Sequence, residues 1–149
     1  MNIIYKNLII LILIIFYNIN ARFDFSNNNK KIIFTFWEPK EKMPGFLKLC
    51  IKTWKKNLPD YKIIILDYKQ AKYYIGENLF SKLICNNMSR MVQSDAIRVA
   101  ILNKFGGIWM DADTIILNDE IIKYFQNYNF AMIWEEKLLL HYISFIYSS

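Results

Sequence analysis

Two aspartates, Asp111 and Asp113, flank a single alanine directly after the apolar run Ile108 to Met110. Carboxylates this close repel each other unless a proton or a cation lies between them. Hard divalent ions such as Mg²⁺ and Mn²⁺ take oxygen ligands, and they can join two carboxylates to the oxygens of a diphosphate. The pair is therefore a candidate metal and diphosphate site, although an isolated DxD is often only a turn.

A second pair of charged residues, Asp95 and Arg98, lies on the helix predicted just before these aspartates. Their spacing of three places both side chains on one face of that helix. The helix ends at Gly106-Gly107, where glycine lets the backbone return tightly into the apolar run that carries the aspartates. We therefore expect both pairs to face one cleft. The alternative for the helix pair is an ordinary surface ion pair, which contributes little to stability.

The apolar pattern along the chain predicts alternating strands and helices. Buried strands are predicted at Ile32 to Trp37, Tyr61 to Leu66, Ile108 to Met110 and Phe130 to Trp134. A helix is predicted after Pro44, and two short helices are predicted between Lys69 and Cys85, with a break near Gly76. A longer helix is predicted from Arg90 to about Lys104, capped by Ser89 or Asn87, and another from Asn118 or Asp119 to Phe125. This order predicts an α/β domain with a mainly parallel sheet. Ligands bind at the carboxyl ends of the strands in such sheets, where the aspartates lie.

The N-terminal residues form an apolar leader, 1–22, followed by a polar linker, 23–31. The apolar run Leu8 to Tyr17 is shorter than the roughly 20 residues that span a bilayer. It fits a signal-peptide core, a short anchor or a helix on a membrane surface. We favour a cytoplasmic protein associated loosely with a membrane surface through this leader. The folded domain is predicted at 32–136, and 137–149 form an atypical tail.

Composition narrows the class of protein and its partners. The chain is 54% hydrophobic and 17% aromatic, which indicates a folded domain and not a disordered chain. Its formal charge of +6 makes nucleic acid the first partner to consider, but the basic residues are spread along the chain and do not form one cluster. Those from Lys48 to Lys56 alternate with apolar residues, as expected for the solvent-exposed face of an amphipathic helix. We therefore expect no nucleic-acid partner; attraction of this face to anionic lipid or a charged glycan stays open.

The two cysteines, Cys50 and Cys85, lie far apart and in no CxxC or Cys/His spacing. This argues against a zinc site. Both have apolar neighbours, so we expect two buried thiols, which suits a reducing compartment.

The stretch from Ser94 to Leu117, SDAIRVAILNKFGGIWMDADTIIL, closely resembles the sugar-binding DXD region of family-32-type glycosyltransferases. These include capsular polysaccharide synthesis enzymes and yeast Golgi mannosyltransferases; the clostridial glucosylating toxins share the pattern more distantly. The stretch from Lys31 to Asp67, with its strand ending in an aromatic pair and its MP at a helix start, is similar to the opening of the bacterial members. The resemblance covers roughly Lys31 to Trp134.

The resemblance implies a GT-A-like, Rossmann-like fold and transfer of a sugar from a UDP- or GDP-sugar to a glycan or polysaccharide acceptor, with retention at the anomeric carbon. It implies a divalent metal, Mn²⁺ or Mg²⁺, coordinated directly by Asp113. Asp111 would contact the ribose or sugar and help to hold the metal, while Asp95 and Arg98 would bind hydroxyls of the donor sugar. Trp37 would stack on the nucleotide base; the alternative for it is an ordinary core tryptophan.

Family members of this kind continue well beyond the DXD region, whereas this chain ends at Ser149. We therefore expect a domain that is incomplete at its C-terminus. A truncated remnant that binds donor weakly and catalyses nothing stays open as an alternative function. The sole histidine, His141, lies on an apolar segment of the tail, and we predict no catalytic role for it.

A rival enzyme class is the haloacid-dehalogenase-like phosphatase, whose first motif fits Met110 to Thr114. Asp111 would then be the nucleophile and Asp113 the acid/base. That family needs a downstream lysine and an acidic pair, for which too little chain remains. This interpretation also leaves Asp95 and Arg98 without a role.

Overall fold

Five strands form one sheet in the computed structural model, which describes residues 31–84, 88–128, 130–132 and 145–148. The strands are β1 (Ile32–Phe36), β2 (Lys62–Leu66), β3 (Gly107–Met110), β4 (Phe130–Met132) and β5 (Phe145–Ser148). Their order in the sheet is β2-β1-β3-β5-β4. β1 is parallel to β2 and β3, and β5 is antiparallel to β3 and β4. The predicted α/β class with a mainly parallel sheet is confirmed.

The first three strands lie where the apolar pattern predicts them, within a residue or two at each end. β4 begins at the predicted Phe130, and its described part ends at Met132. β5 was not predicted. It falls within the range 137–149 that we set apart as a tail, and it pairs with β3 from Gly107↔Ser148 to Met110↔Phe145.

Between these strands, the described residues form five helices and one short 3-10 turn. The helices are α1 (Gly45–Asn57), α2 (Tyr68–Ile75), α3 (Glu77–Leu83), α4 (Arg90–Phe105) and α5 (Glu120–Phe125), and the turn covers Lys40–Lys42. The predicted break at Gly76 separates α2 from α3. The predicted cap Ser89 is confirmed, because its hydroxyl accepts the backbone N–H of Val92 at 3.4 Å.

The side chains of the sheet alternate between two apolar clusters, one on each face. Ile33 belongs to the cluster that contains the buried residues of α1 and α5, and Phe34 to the cluster that contains those of α2 and α4. Alternation with a period of two is what a strand buried on both faces produces. The molecule is therefore a sheet between two helix layers.

The buried face of α1 confirms the amphipathic pattern. Its apolar residues at helical spacing are buried, namely Leu47, Cys50, Ile51 and Trp54. Its four lysines are exposed, namely Lys48, Lys52, Lys55 and Lys56. Cys50 is a buried free thiol, as predicted; Cys85 lies outside the described residues.

The turn between α4 and β3 depends on its two glycines. Gly106 and Gly107 have φ values of 62° and 94°, which residues other than glycine rarely adopt. A Cβ at Gly107 would lie 2.8 Å from the carbonyl oxygen of Ile32. Glycine here lets β3 start directly beside β1 after α4 has ended.

Several predictions fall on residues outside the described ranges. These are the leader 1–22, the linker up to residue 30, Trp134 and His141. Within 31–84, 88–128, 130–132 and 145–148, no helix is both long enough and apolar enough to cross a bilayer.

Candidate functional site

The site is built around Arg98, a buried arginine in the middle of α4. Only 7% of the residue is exposed. Its Nη2 donates to Asp111 Oδ1 at 2.8 Å and lies 3.4 Å from Asp95 Oδ1. A guanidinium taken out of water needs such partners, because its desolvation costs several kcal/mol unless carboxylates compensate. Asp95 and Asp111 therefore meet at one buried cation, as the spacing of the sequence predicts.

Trp109 is a second donor to the same carboxylate oxygen. Its indole Nε1 donates to Asp111 Oδ1 at 3.1 Å, and the Arg98 guanidinium carbon lies 5.4 Å from the centre of its ring. The indole is almost fully buried, so this geometry is fixed by the packing of β3 against α4. Asp111 Oδ1 accepts two hydrogen bonds, which leaves Oδ2 as the oxygen that can approach a ligand.

The environment of the two carboxyls disfavours their charge. Burial raises the pKa of Asp111; Arg98 and the Trp109 hydrogen bond oppose this, whereas Asp113 and Asp95 add to it. Burial also raises the pKa of Asp95, and Arg98 opposes that rise. Asp95, Asp111 and Asp113 together carry three negative charges against the one positive charge of Arg98. The cluster thus has two negative charges that a bound cation would offset.

Asp113 differs from Asp111 because it is exposed. In the described part of the chain its carboxylate has no hydrogen bond and no ion pair, so both oxygens are accessible to a ligand. The described residues contain no group of three or more histidine, cysteine, aspartate or glutamate side chains arranged to hold a metal. The described residues therefore offer two carboxylates for a metal here, and other ligands would have to complete the site.

The loop that follows Asp113 is anchored to α1. Trp54 Nε1 donates to the carbonyl of Thr114 at 2.7 Å, and the N–H of Ile116 donates to the hydroxyl of Thr53 at 3.0 Å. Asn57 Nδ2 also donates to the carbonyl of Ile116 at 2.6 Å. These long-range bonds fix the direction in which the chain leaves the two aspartates.

Trp37 follows β1 at the same edge of the sheet. Its backbone N–H donates to the carbonyl of Leu66 at 2.9 Å, and its half-buried indole packs against the α1 side of the core. If the β1–β3 register is continued past Phe34↔Trp109, Trp37 is level with Ala112. Its predicted stacking on a base stays a prediction.

Polar side chains on α2 and α4 line the neighbouring part of this edge. Glu38 Oε2 accepts the N–H of Tyr68 at 2.9 Å, and Arg90 Nη1 donates to the carbonyl of Glu38 at 3.5 Å. The Tyr68 hydroxyl is hydrogen-bonded to Gln93 Oε1. Burial raises the pKa of Tyr68, opposed by Arg90, so the phenol remains a neutral donor at physiological pH. These residues were not predicted as part of the site.

One family model, described as capsular polysaccharide synthesis protein, matches residues 2–146. The chain belongs to this family. No curated protein and no solved structure matches it. The family match to capsular polysaccharide synthesis proteins extends over most of the leader and most of the C-terminal tail as well as the domain.

In this capsular polysaccharide synthesis family member, four of the five predicted site residues lie in one cluster. Asp95 and Asp111 each contact Arg98, and Asp113 lies in the turn that begins at Asp111. Arg98 is engaged by the two carboxylates, so its position is that of a residue which holds Asp111; its predicted contact with the donor stays a prediction. Trp109 was not predicted as a site residue, although alternation along β3 places it on the face that packs on α4.

Proposed function

We propose that this site binds a UDP- or GDP-sugar together with a divalent cation, and that the protein transfers the sugar to a glycan or polysaccharide acceptor with retention. The observation that carries the proposal is the carboxylate cluster around Arg98 at the carboxyl ends of parallel strands. This edge is where ligands of α/β sheets bind. Membership of the capsular polysaccharide synthesis family supports a role in making sugar polymers.

The available ligands fit a metal that arrives with a diphosphate. Mg²⁺ is commonly held by one or two carboxylates plus substrate phosphates, with waters in the remaining positions. Asp113 offers two accessible oxygens, and Asp111 offers Oδ2 because Oδ1 is occupied by Arg98 and Trp109. Mn²⁺ or Mg²⁺ would thus be held by these two residues and by the nucleotide. We expect weak metal binding without nucleotide, since two carboxylates alone are too few ligands for tight binding.

The residues divide into those that touch the donor and those that position them. Asp113 and Asp111 Oδ2 would face the metal, the ribose or the sugar. Asp95, whose side chain is 40% exposed, would accept from a donor hydroxyl. Arg98 and Trp109 hold Asp111 in place before the donor binds, so little reorganisation is needed. Trp37 would lie against the base.

Departure of the nucleoside diphosphate leaves negative charge on its phosphate oxygens. Asp113 and Asp111 would hold a divalent ion, whose chemistry would be to stabilise that charge. The donor carbon becomes electron-poor as the bond breaks, and the excess negative charge of the Asp95–Asp111 pair favours that electrostatically. Because the surroundings are partly buried, these interactions are screened less than they would be in water.

The test is release of UDP or GDP from a panel of nucleotide sugars, with Mn²⁺ or Mg²⁺, by the full chain. We expect release from at least one donor, dependence on the metal, and its loss in Asp113→Ala. The matched control is Asp60→Ala, an exposed aspartate that follows α1 and precedes β2, and it should keep full activity. Undiminished release in Asp113→Ala would remove the metal assignment. Binding of donor without release in the wild-type chain would identify a non-catalytic donor-binding remnant.

A further inference from the structure

A strip of exposed apolar side chains runs along α1 and the loop beside it. On α1, Phe46 is 59% exposed and Leu49 is 62% exposed. On the loop, Ile115 is 56% exposed and Leu117 is 83% exposed. Large apolar residues exposed singly are common, but contiguous ones mark an interaction surface.

The hydrogen bonds of the loop place its backbone alongside α1. Ile116 is bonded through its backbone to Thr53 and Asn57, and its side chain is buried. Its neighbours Ile115 and Leu117 therefore point outward beside α1. Helical spacing puts Phe46, Leu49, Thr53 and Lys56 on one stripe of α1, which is the stripe nearest the loop.

Positive charge lines the outer side of this strip. The exposed lysines of α1 are Lys48, Lys52, Lys55 and Lys56, and α1 contains no acidic residue. Among the residues that the structure describes, none of these four ammonium groups has a carboxylate within 4.0 Å. Of the acidic residues at the ends of the loop, Asp119 is paired with Lys123 at 2.8 Å. The lysines are therefore free to meet negative charge on a partner.

We propose that this strip, formed by Phe46, Leu49, Ile115, Leu117 and the four α1 lysines, docks the folded domain on an anionic lipid bilayer. Apolar side chains that enter the headgroup region beside lysines that contact anionic lipid are the features of interfacial binding. A protein partner with a purely apolar surface would leave the lysines buried without partners, which is costly. The strip lies on the α1 face of the sheet and begins at the loop that follows Asp113. It is independent of the leader and of the proposed donor chemistry.

The test is co-sedimentation of the full chain with vesicles of phosphatidylcholine alone, or of phosphatidylcholine and phosphatidylglycerol in equal parts. We expect binding to the anionic vesicles only, with weakening at high salt. Lys52→Gln with Lys56→Gln should lower the partition coefficient on the order of tenfold. The equal charge change Lys69→Gln with Lys82→Gln, on α2 and α3, should lower it far less. Leu117→Ser should also weaken binding, whereas Leu79→Ser, an exposed leucine of α3, should not.

Three results would overturn the proposal. Equal binding by the two double-lysine variants would show that the leader or the overall charge, and not the strip, is responsible for binding to the vesicles. Equal binding to neutral and anionic vesicles would remove the role of the lysines. A change in oligomeric state with Leu117→Ser, measured by sedimentation velocity, together with unchanged vesicle binding, would assign the strip to a second copy of the chain. Each substituted residue is exposed, and the circular dichroism spectrum of each variant checks that the protein folds.

Discussion

Arg98 Nη2 and Asp111 Oδ1 lie 2.8 Å apart although thirteen positions separate them in the sequence. The pair joins the middle of α4 to the end of β3, across a turn that only Gly106-Gly107 makes short enough. It orients one oxygen of Asp111 toward the protein and leaves the other for a ligand. The geometry of the edge therefore depends on an ion pair that is itself inside the fold.

Loss of Arg98 should destabilise the protein through Asp111. We expect Arg98→Met to lower the free energy of unfolding by about 3 kcal/mol, because it leaves a partly buried carboxylate without its cation. In an Asp111→Asn background the same change should cost about 1–2 kcal/mol less, since only the Asp95 carboxylate then loses its cation. Urea unfolding of the four proteins measures this coupling.

The exposed pair Lys123–Asp119 provides the control for that cycle, at a similar distance of 2.8 Å. Lys123→Met should leave the unfolding midpoint unchanged, because exposed pairs contribute little. Additive effects of the two changes at Arg98 and Asp111 would mean that the contact between them carries no stability.

Trp109→Phe removes the indole N–H and keeps an aromatic ring against Arg98. We expect a loss of about 1–3 kcal/mol in stability, from the lost hydrogen bond and from the cavity that the smaller ring leaves at this buried position. Binding of Mn²⁺ and UDP should weaken as well, because Asp111 Oδ1 loses one of its two donors. Calorimetric titration below the unfolding temperature separates the two effects. Unchanged affinity would show that Arg98 alone positions Asp111.

Gly107→Ala should be costly for two reasons. The residue has φ of 94°, and the new Cβ would meet the Ile32 carbonyl oxygen at 2.8 Å. We expect a loss of about 2 kcal/mol or more in the free energy of unfolding. Gly45→Ala is the control, since a Cβ there meets nothing within 4 Å, and it should change stability by less than about 0.5 kcal/mol. Equal effects would show that the close approach of β3 to β1 can relax.

The local part of this fold was predictable because it depends on short-range patterns. Apolar periodicity predicted the first three strands and α1. Ser89 predicted the start of α4, and Gly76 predicted the break between α2 and α3. The meeting of Arg98 with Asp111 was also predictable, since a two-glycine turn returns the chain directly onto the preceding helix.

Contacts between distant segments were not predictable in the same way. β5 pairs with β3 across a long stretch of sequence, and nothing in its own four residues specifies that partner. The bond from Trp54 to the carbonyl of Thr114 joins residues sixty positions apart. The role of Trp109 could have been inferred from strand alternation, because it shares the face of β3 that packs on α4.

The proposed donor site predicts that metal and nucleotide bind together. Because the described part of the site offers two carboxylates, Mn²⁺ alone should bind weakly. UDP should strengthen Mn²⁺ binding by the same factor by which Mn²⁺ strengthens UDP binding. Titration of each ligand in the presence and absence of the other measures both factors. Tight binding of Mn²⁺ without UDP would indicate additional protein ligands.

The most direct measurement is calorimetric titration of the full chain with UDP in the presence of Mn²⁺, for wild type, Asp113→Ala and Asp60→Ala. We expect Mn²⁺-dependent binding by wild type and by Asp60→Ala. We expect its loss in Asp113→Ala, because that variant lacks the carboxylate whose two oxygens are accessible to a metal. Equal binding by all three proteins, or binding that is the same without Mn²⁺, would contradict a metal and diphosphate site at this edge of the sheet.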